Sequence, residues 1–187
     1  MKTFARLAAM AAVLGIAVCA TQAEDGRRPA PGPLRVHPAN PRYFTDGTKM
    51  PDGTLRAVYL TGSHHWDNLQ DGYNPEVTPF DYERYLDLLE KHGHNFIRLW
   101  AWEHMTSEVS WHYEHKKQQF DPLPYQRTGP GLAVDGKPRA DLRTFDPDYF
   151  ERLRRRAEQA GRRGMYVGIM LFQGVASNGP RTWPGHV

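Results

Sequence analysis

The chain contains the segment NFIRLWAWE at residues 95–103, and this segment decides the fold. Residues 95–100 are a short, mostly apolar run, as expected of a strand inside a sheet. Two runs of the same kind lie on either side of it in the sequence, AVYLTG at residues 57–62 and MYVGIMLF at residues 165–172. The last run is apolar nearly throughout, which predicts a strand covered on both faces.

Two helical patterns separate these three runs. The first begins at the capping signal TPFD, residues 78–81, and the second begins at Asp146-Pro147. In both, apolar residues recur at helical spacing. We expect the buried faces to contain Tyr82, Tyr85, Leu86 and Leu89 in the first helix, and Phe150, Leu153, Ala157 and Ala160 in the second. The order β-α-β-α-β predicts a parallel sheet with helices packed outside it.

The region before the first strand divides into three parts. Residues 1–23 combine a charged start, an apolar run and a small-residue exit, which is typical of a secretory signal peptide. A buried N-terminal helix and a lipoprotein leader at Cys19 are the alternatives. Residues 24–33 are rich in Pro, Gly and Arg and predict a flexible linker. Residues 34–54 carry two Asp-Gly turn signals and predict a small β-hairpin, and the protein is expected to be secreted or periplasmic.

Composition excludes several classes of protein. The chain has 187 residues, of which 40% are apolar, enough for one ordinary domain. No apolar run approaches the ~20 residues of a membrane-spanning helix. The net charge is +3, but Lys2 and Arg6 lie in the predicted leader, so the mature chain is close to neutral. Nucleic acid is therefore not an expected partner, and the arginines of residues 152–163 are interpreted as a solvated helix face.

Cysteine and histidine usage argues against metal and thiol chemistry. Cys19 is the only cysteine and lies in the predicted leader, so disulfides, thiol catalysis and cysteine-zinc sites are not expected. The nine histidines show no metal-ligand spacing, and no glycine-rich phosphate loop is present. We therefore predict no metal and no cofactor. The sequence does not indicate an oligomeric state.

The segments around the first two strands resemble a known family. YLTGSHHW at residues 59–66 and the stretch from residue 80 to residue 103 are similar to bacterial cellulase-like proteins of the broad glycoside hydrolase family 5 type. The similarity extends over roughly residues 34–183. It implies an α/β fold, an incomplete (β/α)8 (TIM) barrel in which residues 34–187 form the first three βα-type units after a small β-hairpin.

The resemblance also implies an activity that this chain does not carry alone. Members of the family are retaining hydrolases with two glutamates, which lie at the ends of the fourth and seventh strands. The sequence stops before a fourth strand, so no catalytic residue is assigned. We expect a fragment of a secreted protein that acts on poly- or oligosaccharide, inactive by itself. The alternatives are a non-catalytic carbohydrate- or matrix-binding protein and a truncated product without function.

Candidate binding residues follow the first two strands, because sites of such barrels lie at the carboxyl ends of strands. Aromatic faces stack on sugar rings, and histidine and carboxylate groups bond hydroxyls. Arg98 matches the family's strand-two arginine, which supports the nucleophile, and a structural ion pair is the other interpretation. The predicted substrate-binding residues are His64, His65, Trp66, Arg98, Trp100, Trp102 and Glu103.

Three of these predictions depend on the local structure. Strand alternation places Trp100 and Trp102 on one side, as a stacking surface or as core. Arg98 lies in an apolar strand and would need a paired acceptor if buried. Glu103 would bind a sugar hydroxyl or a pocket arginine, or be a structural or solvated acid. The long connection at residues 102–145 is expected to be ordered and functional because it contains aromatic residues, namely Trp111, Tyr113, Phe120 and Tyr125.

Overall fold

A computed structural model describes residues 28–73, 79–102, 106–107, 118–133 and 136–171. The predicted signal peptide and Glu103 lie outside these residues. The elements are β1 (Arg35–Val36), β2 (Phe44–Thr45), β3 (Gly62–Ser63), β4 (Asp71–Tyr73), α1 (Tyr82–Lys91), β5 (Phe96–Trp100), β6 (Thr106–Ser107), β7 (Gln118–Asp121), α2 (Pro147–Arg162) and β8 (Tyr166–Met170).

A three-stranded parallel sheet forms the centre of the described structure. Its strand order is β3-β5-β8, with β5 in the middle and parallel to both neighbours. The register pairs Gly62 with Phe96 and Trp100 with Met170. With α1 and α2 connecting the strands, the predicted β-α-β-α-β order and parallel sheet are confirmed.

Both helices pack on the same face of this sheet. Ile97 and Leu99 of β5 are fully buried in one core with Leu86 and Leu89 of α1 and Ala160 of α2. The intervening residue of β5 points to the opposite face and is exposed. Sequential strand order with all helices on one face is the arrangement found in (β/α)8 barrels. The incomplete barrel itself remains a prediction.

The first strand is shorter than the sequence predicts. The run at residues 57–62 enters the parallel sheet only at Gly62. Val58 instead donates its N–H to the carbonyl of Phe44, at 2.8 Å, and so extends the hairpin sheet. At this position the chain therefore pairs with β2 and not with the parallel sheet. Hydrophobic periodicity does not show which of the two is the partner.

The first helix begins later than the capping signal at residues 78–81 indicates. Its N-cap is Asp81, whose side chain accepts a hydrogen bond from the N–H of Arg84 at 2.9 Å. Thr78, the predicted cap, lies outside the described residues. An aspartate is at least as good a cap as a threonine, and the residue expected as an acid of the first turn is the cap of the helix.

The second helix begins as predicted, with Asp146 as N-cap and Pro147 in the first turn. Its buried face differs from the prediction, because Tyr149 is buried and Phe150 is 41% exposed. Phe150 packs edge-on against the ring of Phe145, at 5.3 Å between ring centroids, instead of against the sheet.

Two antiparallel sheets flank the parallel one. β1 pairs with β2 in the predicted hairpin. β7 pairs with both β4 and β6, so the described part of the long connection after β5 is ordered and joins the loop after β3. Trp111 and Tyr113 lie outside the described residues. None of the helices in the described ranges is long and apolar enough to cross a membrane.

Candidate functional site

The loop after β3 attaches to the end of β5 through side-chain amides. Asn68 donates from Nδ2 to the carbonyl of Arg98 at 2.6 Å and accepts from the N–H of Trp100 at 3.0 Å. Gln70, two residues later, also binds the backbone beyond β5. Its side chain accepts from the N–H of Trp102 at 2.5 Å and donates to the carbonyl of the same residue, Trp102, at 2.7 Å. Both amides are fully buried. They continue the strand ladder where the backbone of the loop leaves the sheet.

Sequence reasoning missed Asn68 and Gln70, although a signal was present. The triplet Asn68-Leu69-Gln70 alternates polar and apolar residues as a strand does, and Leu69 is buried in the main core. The alternation shows that two polar side chains share one face. It does not show that their partners are backbone groups of β5.

Three aromatic side chains meet at the carboxyl ends of β3 and β5. His64, Trp66 and Trp100 form what we call the aromatic cluster. The ring centroids of Trp66 and Trp100 lie 4.5 Å apart in an edge-to-face contact. His64 stacks on Trp100 at 5.7 Å and meets Trp66 edge-on at 5.3 Å. The structure therefore brings three of the predicted site residues together.

Trp102 forms the base of the cluster and not its surface. It is only 8% exposed and stacks on Phe120 of β7, at 4.4 Å between centroids and nearly parallel. Its indole N–H donates to the carbonyl of Trp66 at 2.7 Å. Trp100 and Trp102 are close, with centroids 6.3 Å apart. Of the two alternatives predicted for Trp102, a stacking surface or core, the structure shows the residue in the core, against Phe120.

The polar groups of the cluster differ in their exposure. The indole Nε1 of Trp100 is buried and has no hydrogen-bond acceptor in the part of the chain that the structure describes. His64 is exposed and Trp66 is half-buried. A buried donor without an acceptor is unusual in folded proteins and calls for a partner.

Two other predicted site residues lie apart from the cluster. His65 stacks on Phe80, at 4.7 Å, and accepts a hydrogen bond from the N–H of Asp67, which places it beside α1. Arg98 is exposed, so the condition under which it would need a buried acceptor is not met. The helices cover only the face of β5 that holds Ile97 and Leu99. Glu103 lies outside the described residues.

Two aspartates lie on the loop that supports the cluster. Burial raises the pKa of the Asp67 carboxyl, and the nearby charge of Asp71 adds to the effect although His65 opposes it. Asp71 accepts two hydrogen bonds from the guanidinium of Arg152, at 2.9 and 3.0 Å. Neither aspartate directly follows a predicted strand, so the sequence pattern indicated no functional role for either of them.

The arginine run of α2 is mostly ion-paired. Arg154 pairs with Glu151 and Glu158, at 2.6 and 2.7 Å. Arg163 reaches Asp87 of α1 at 2.5 Å. Arg156 is buried, so the interpretation of the whole run as a solvated face is wrong at this position. Carboxylates of α1 and α2 neutralise much of the charge of this run.

The opposite end of the sheet contains a cleft of about 670 Å³ between the hairpin, residues 28–31 and the start of β8. Asp46 joins these parts. Its carboxylate accepts hydrogen bonds from the Arg56 guanidinium and from the hydroxyl of Tyr166, the latter at 3.1 Å. Burial by itself would raise the pKa of Asp46, but the bonds from Arg56, Thr48 and Tyr166 lower it to about 2. Ala30, in the predicted linker, donates to the carbonyl of Gly161.

Within the described ranges, no group of three or more His, Cys, Asp or Glu side chains is arranged to hold a metal ion. Comparison with family models, curated proteins and solved structures found no match for the chain.

Proposed function

We propose that this chain binds carbohydrate at the aromatic cluster and belongs to a secreted glycoside hydrolase-like protein of the (β/α)8 type. The observation that carries the proposal is the meeting of His64, Trp66 and Trp100 at the carboxyl ends of two parallel strands. Ligands of open parallel α/β sheets and of (β/α)8 barrels bind at this edge. The sequence resemblance to cellulase-like proteins points to β-linked glucans as the first ligands to test.

The cluster offers the two kinds of contact that a sugar needs. The half-buried indole of Trp66 offers apolar surface for the C–H face of a pyranose ring. The exposed imidazole of His64 supplies a polar contact to a hydroxyl group. A hydroxyl that accepts from Trp100 would satisfy a donor that has no acceptor among the described residues.

The proposal is limited to binding, because glycoside cleavage needs two carboxylates on either side of the bond, about 5–5.5 Å apart in retaining enzymes. Of the described acids, Asp67 directly follows Trp66 in the sequence, and Asp71 is engaged by Arg152. With Asp71 bound to Arg152, the described loop after β3 offers Asp67 alone and not the pair that cleavage needs. We accordingly propose that the chain by itself does not hydrolyse its ligand.

Depletion of the full chain from solution by insoluble cellulose tests the proposal. We expect the parent chain to bind and Trp66→Ala to lose most of the binding. Phe145→Ala is the matched control, since Phe145 is a more exposed aromatic residue outside the cluster. Equal retention of all three proteins would show that adsorption is nonspecific. Absence of binding to cellulose, xylan and mannan would refute the proposed function.

A further inference from the structure

The loop at residues 64–71 supplies two of the three rings of the cluster, and we call it the site loop. Elements on several sides hold it. The hydroxyl of Tyr85 in α1 donates to the carbonyl of Ser63, just before the loop, at 2.7 Å. Asn68 and Gln70 bind the end of β5 from within the loop. Arg152 and Arg156 of α2 contact the loop from another side.

Arg156 is the residue of α2 that reaches furthest into the site loop. Its side chain is 7% exposed, and its Nη1 donates to the carbonyl of Asn68. The guanidinium lies over the ring of Tyr82, with Cζ 4.8 Å from the ring centroid. Its other terminal nitrogen is 3.9 Å from the carboxylate of Asp71. The positive charge of the guanidinium thus lies close to a carbonyl, an aromatic face and a carboxylate.

Burying this guanidinium is costly, and the fold does not need it to neutralise Asp71. Removal from water disfavours a charged group unless it is fully paired. Asp71 already accepts two hydrogen bonds from Arg152, so its charge is compensated without Arg156. The short contact of Arg156 is the one to the backbone of Asn68. This arrangement indicates a role at the site loop.

The contact connects α2 to the aromatic cluster through one residue. Asn68 accepts from Arg156 at its backbone carbonyl, and its side chain pairs with the backbone of Arg98 and Trp100. Trp66 lies two residues before Asn68 in the site loop. Asn68 therefore connects Arg156 with the two segments that carry Trp66 and Trp100.

We infer that Arg156 is a positioning residue, which holds the site loop so that Trp66 and Trp100 stay in edge-to-face contact. The role is distinct from general stabilisation of the fold. A methionine at position 156 fills similar space, and Asp71 keeps its two hydrogen bonds from Arg152, so the substitution leaves no carboxylate without a cation. For ligand binding, the inference rests on the proposed function.

Circular dichroism of the full chain tests this inference without a ligand. Two indoles with centroids 4.5 Å apart couple and give a bisignate signal in the far ultraviolet, which Trp66→Phe would assign. We expect Arg156→Met to lose most of this signal while the unfolding temperature changes little, and Arg156→Lys to restore part of it. Arg155→Met, at the exposed neighbouring position, is the matched control and keeps the full signal.

A second arm measures binding of cellohexaose. We expect Arg156→Met to weaken binding about tenfold, the equivalent of roughly one hydrogen bond, and Arg155→Met to leave it unchanged. If the parent chain does not bind cellohexaose, the proposed function fails while the spectroscopic arm still tests Arg156. An unchanged bisignate signal in Arg156→Met would overturn the inference. Loss of folding in both Arg156 variants would also overturn it, since the role would then be structural.

Discussion

Individual side chains define the two ends of the parallel sheet. At the carboxyl end, Asn68 and Gln70 use amide groups to continue the ladder of β5. At the amino end, Asp46 joins the hairpin to β8 through Tyr166. Each of these side chains is enclosed and makes several hydrogen bonds, and such groups are costly to leave without partners. The residue scale is therefore where stability is most sensitive to single changes.

Asp46 should make stability depend on pH in the acid range. Its pKa in the folded chain is about 2, below the ordinary 3.8, so folding favours the ionised form. The stabilisation is complete above the unfolded pKa and is lost as the pH falls through the folded pKa, from about pH 5 to about pH 2. We expect Asp46→Asn to lower the free energy of unfolding at pH 6 by about 2 kcal/mol, with a smaller loss at pH 2.5.

Urea unfolding at the two pH values measures this effect. Asp52→Asn is the matched control, because Asp52 is an exposed carboxylate that bonds only Thr54 in its own turn. The account of Asp46 would be contradicted if both substitutions lowered stability equally at pH 6.

Gly62 should be intolerant of any side chain. A Cβ at this position would lie 1.8 Å from the carbonyl oxygen of Phe96, which is backbone of the paired strand and cannot move away. We expect Gly62→Ala to cost about 3 kcal/mol of unfolding free energy. Gly168→Ala is the comparison, because its Cβ would meet only the ring edge of Phe96 at 3.0 Å. Equal midpoints of urea unfolding for the two variants would contradict this reading of β3.

At the scale of elements, the order of strands and helices and the start of α2 could be predicted from the sequence, whereas the starts of β3 and α1 could not. Alternation of apolar runs with amphipathic helices determines a parallel sheet, since parallel strands need crossover connections. The start of β3 depends on whether Val58 pairs with β2 or β5, and a linear pattern does not contain that choice.

For the candidate site, too, one part could be predicted from the sequence and another part could not. Its location after β3 and β5 follows from the strand order, and His64, Trp66 and Trp100 do come together there. The exposure of Arg98 and the burial of Trp102 depend on what covers each face. Trp102 is covered by Phe120, which belongs to the long connection after β5. No local sequence pattern predicts that Phe120 packs on Trp102.

The ladder formed by the site loop predicts a strong effect at Gln70. Its Nε2 group donates to the carbonyls of Trp102 and Pro122, at 2.7 and 2.8 Å. In Gln70→Glu a carboxylate oxygen would face both carbonyl oxygens inside the core. We expect a loss of about 3 kcal/mol in thermal or urea unfolding, because only one oxygen of the buried carboxylate would keep a donor, the N–H of Trp102, while the other would face two acceptors.

Two comparisons make the result specific to the ladder. Gln159→Glu makes the same chemical change at a partly exposed position of α2 and should alter stability by less than about 0.5 kcal/mol. Gln70→Met keeps the volume without the charge and should fall between the two. A Gln70→Glu chain as stable as the parent would show that the amide ladder does not hold the loop.

At the scale of the whole molecule, the asymmetry of the sheet joins fold to function. Helices cover the face that holds Ile97 and Leu99, while Arg98 on the opposite face is exposed. The aromatic cluster lies at the carboxyl edge of this sheet, and the buried pair of Trp102 and Phe120 supports it. A rigid base beneath partly exposed rings is what a preformed sugar site requires, because ordering loops on binding costs affinity.

Isothermal titration of the full chain with cellohexaose tests the central claim most directly. The account predicts binding at one site, abolished by Trp66→Ala and retained by Phe145→Ala, with no release of shorter sugars during the experiment. Binding that Trp66→Ala leaves intact would place the ligand elsewhere on the molecule. No heat of binding with the folded parent chain, for cellohexaose or for xylo- and manno-oligosaccharides, would contradict the account of the aromatic cluster as a carbohydrate site.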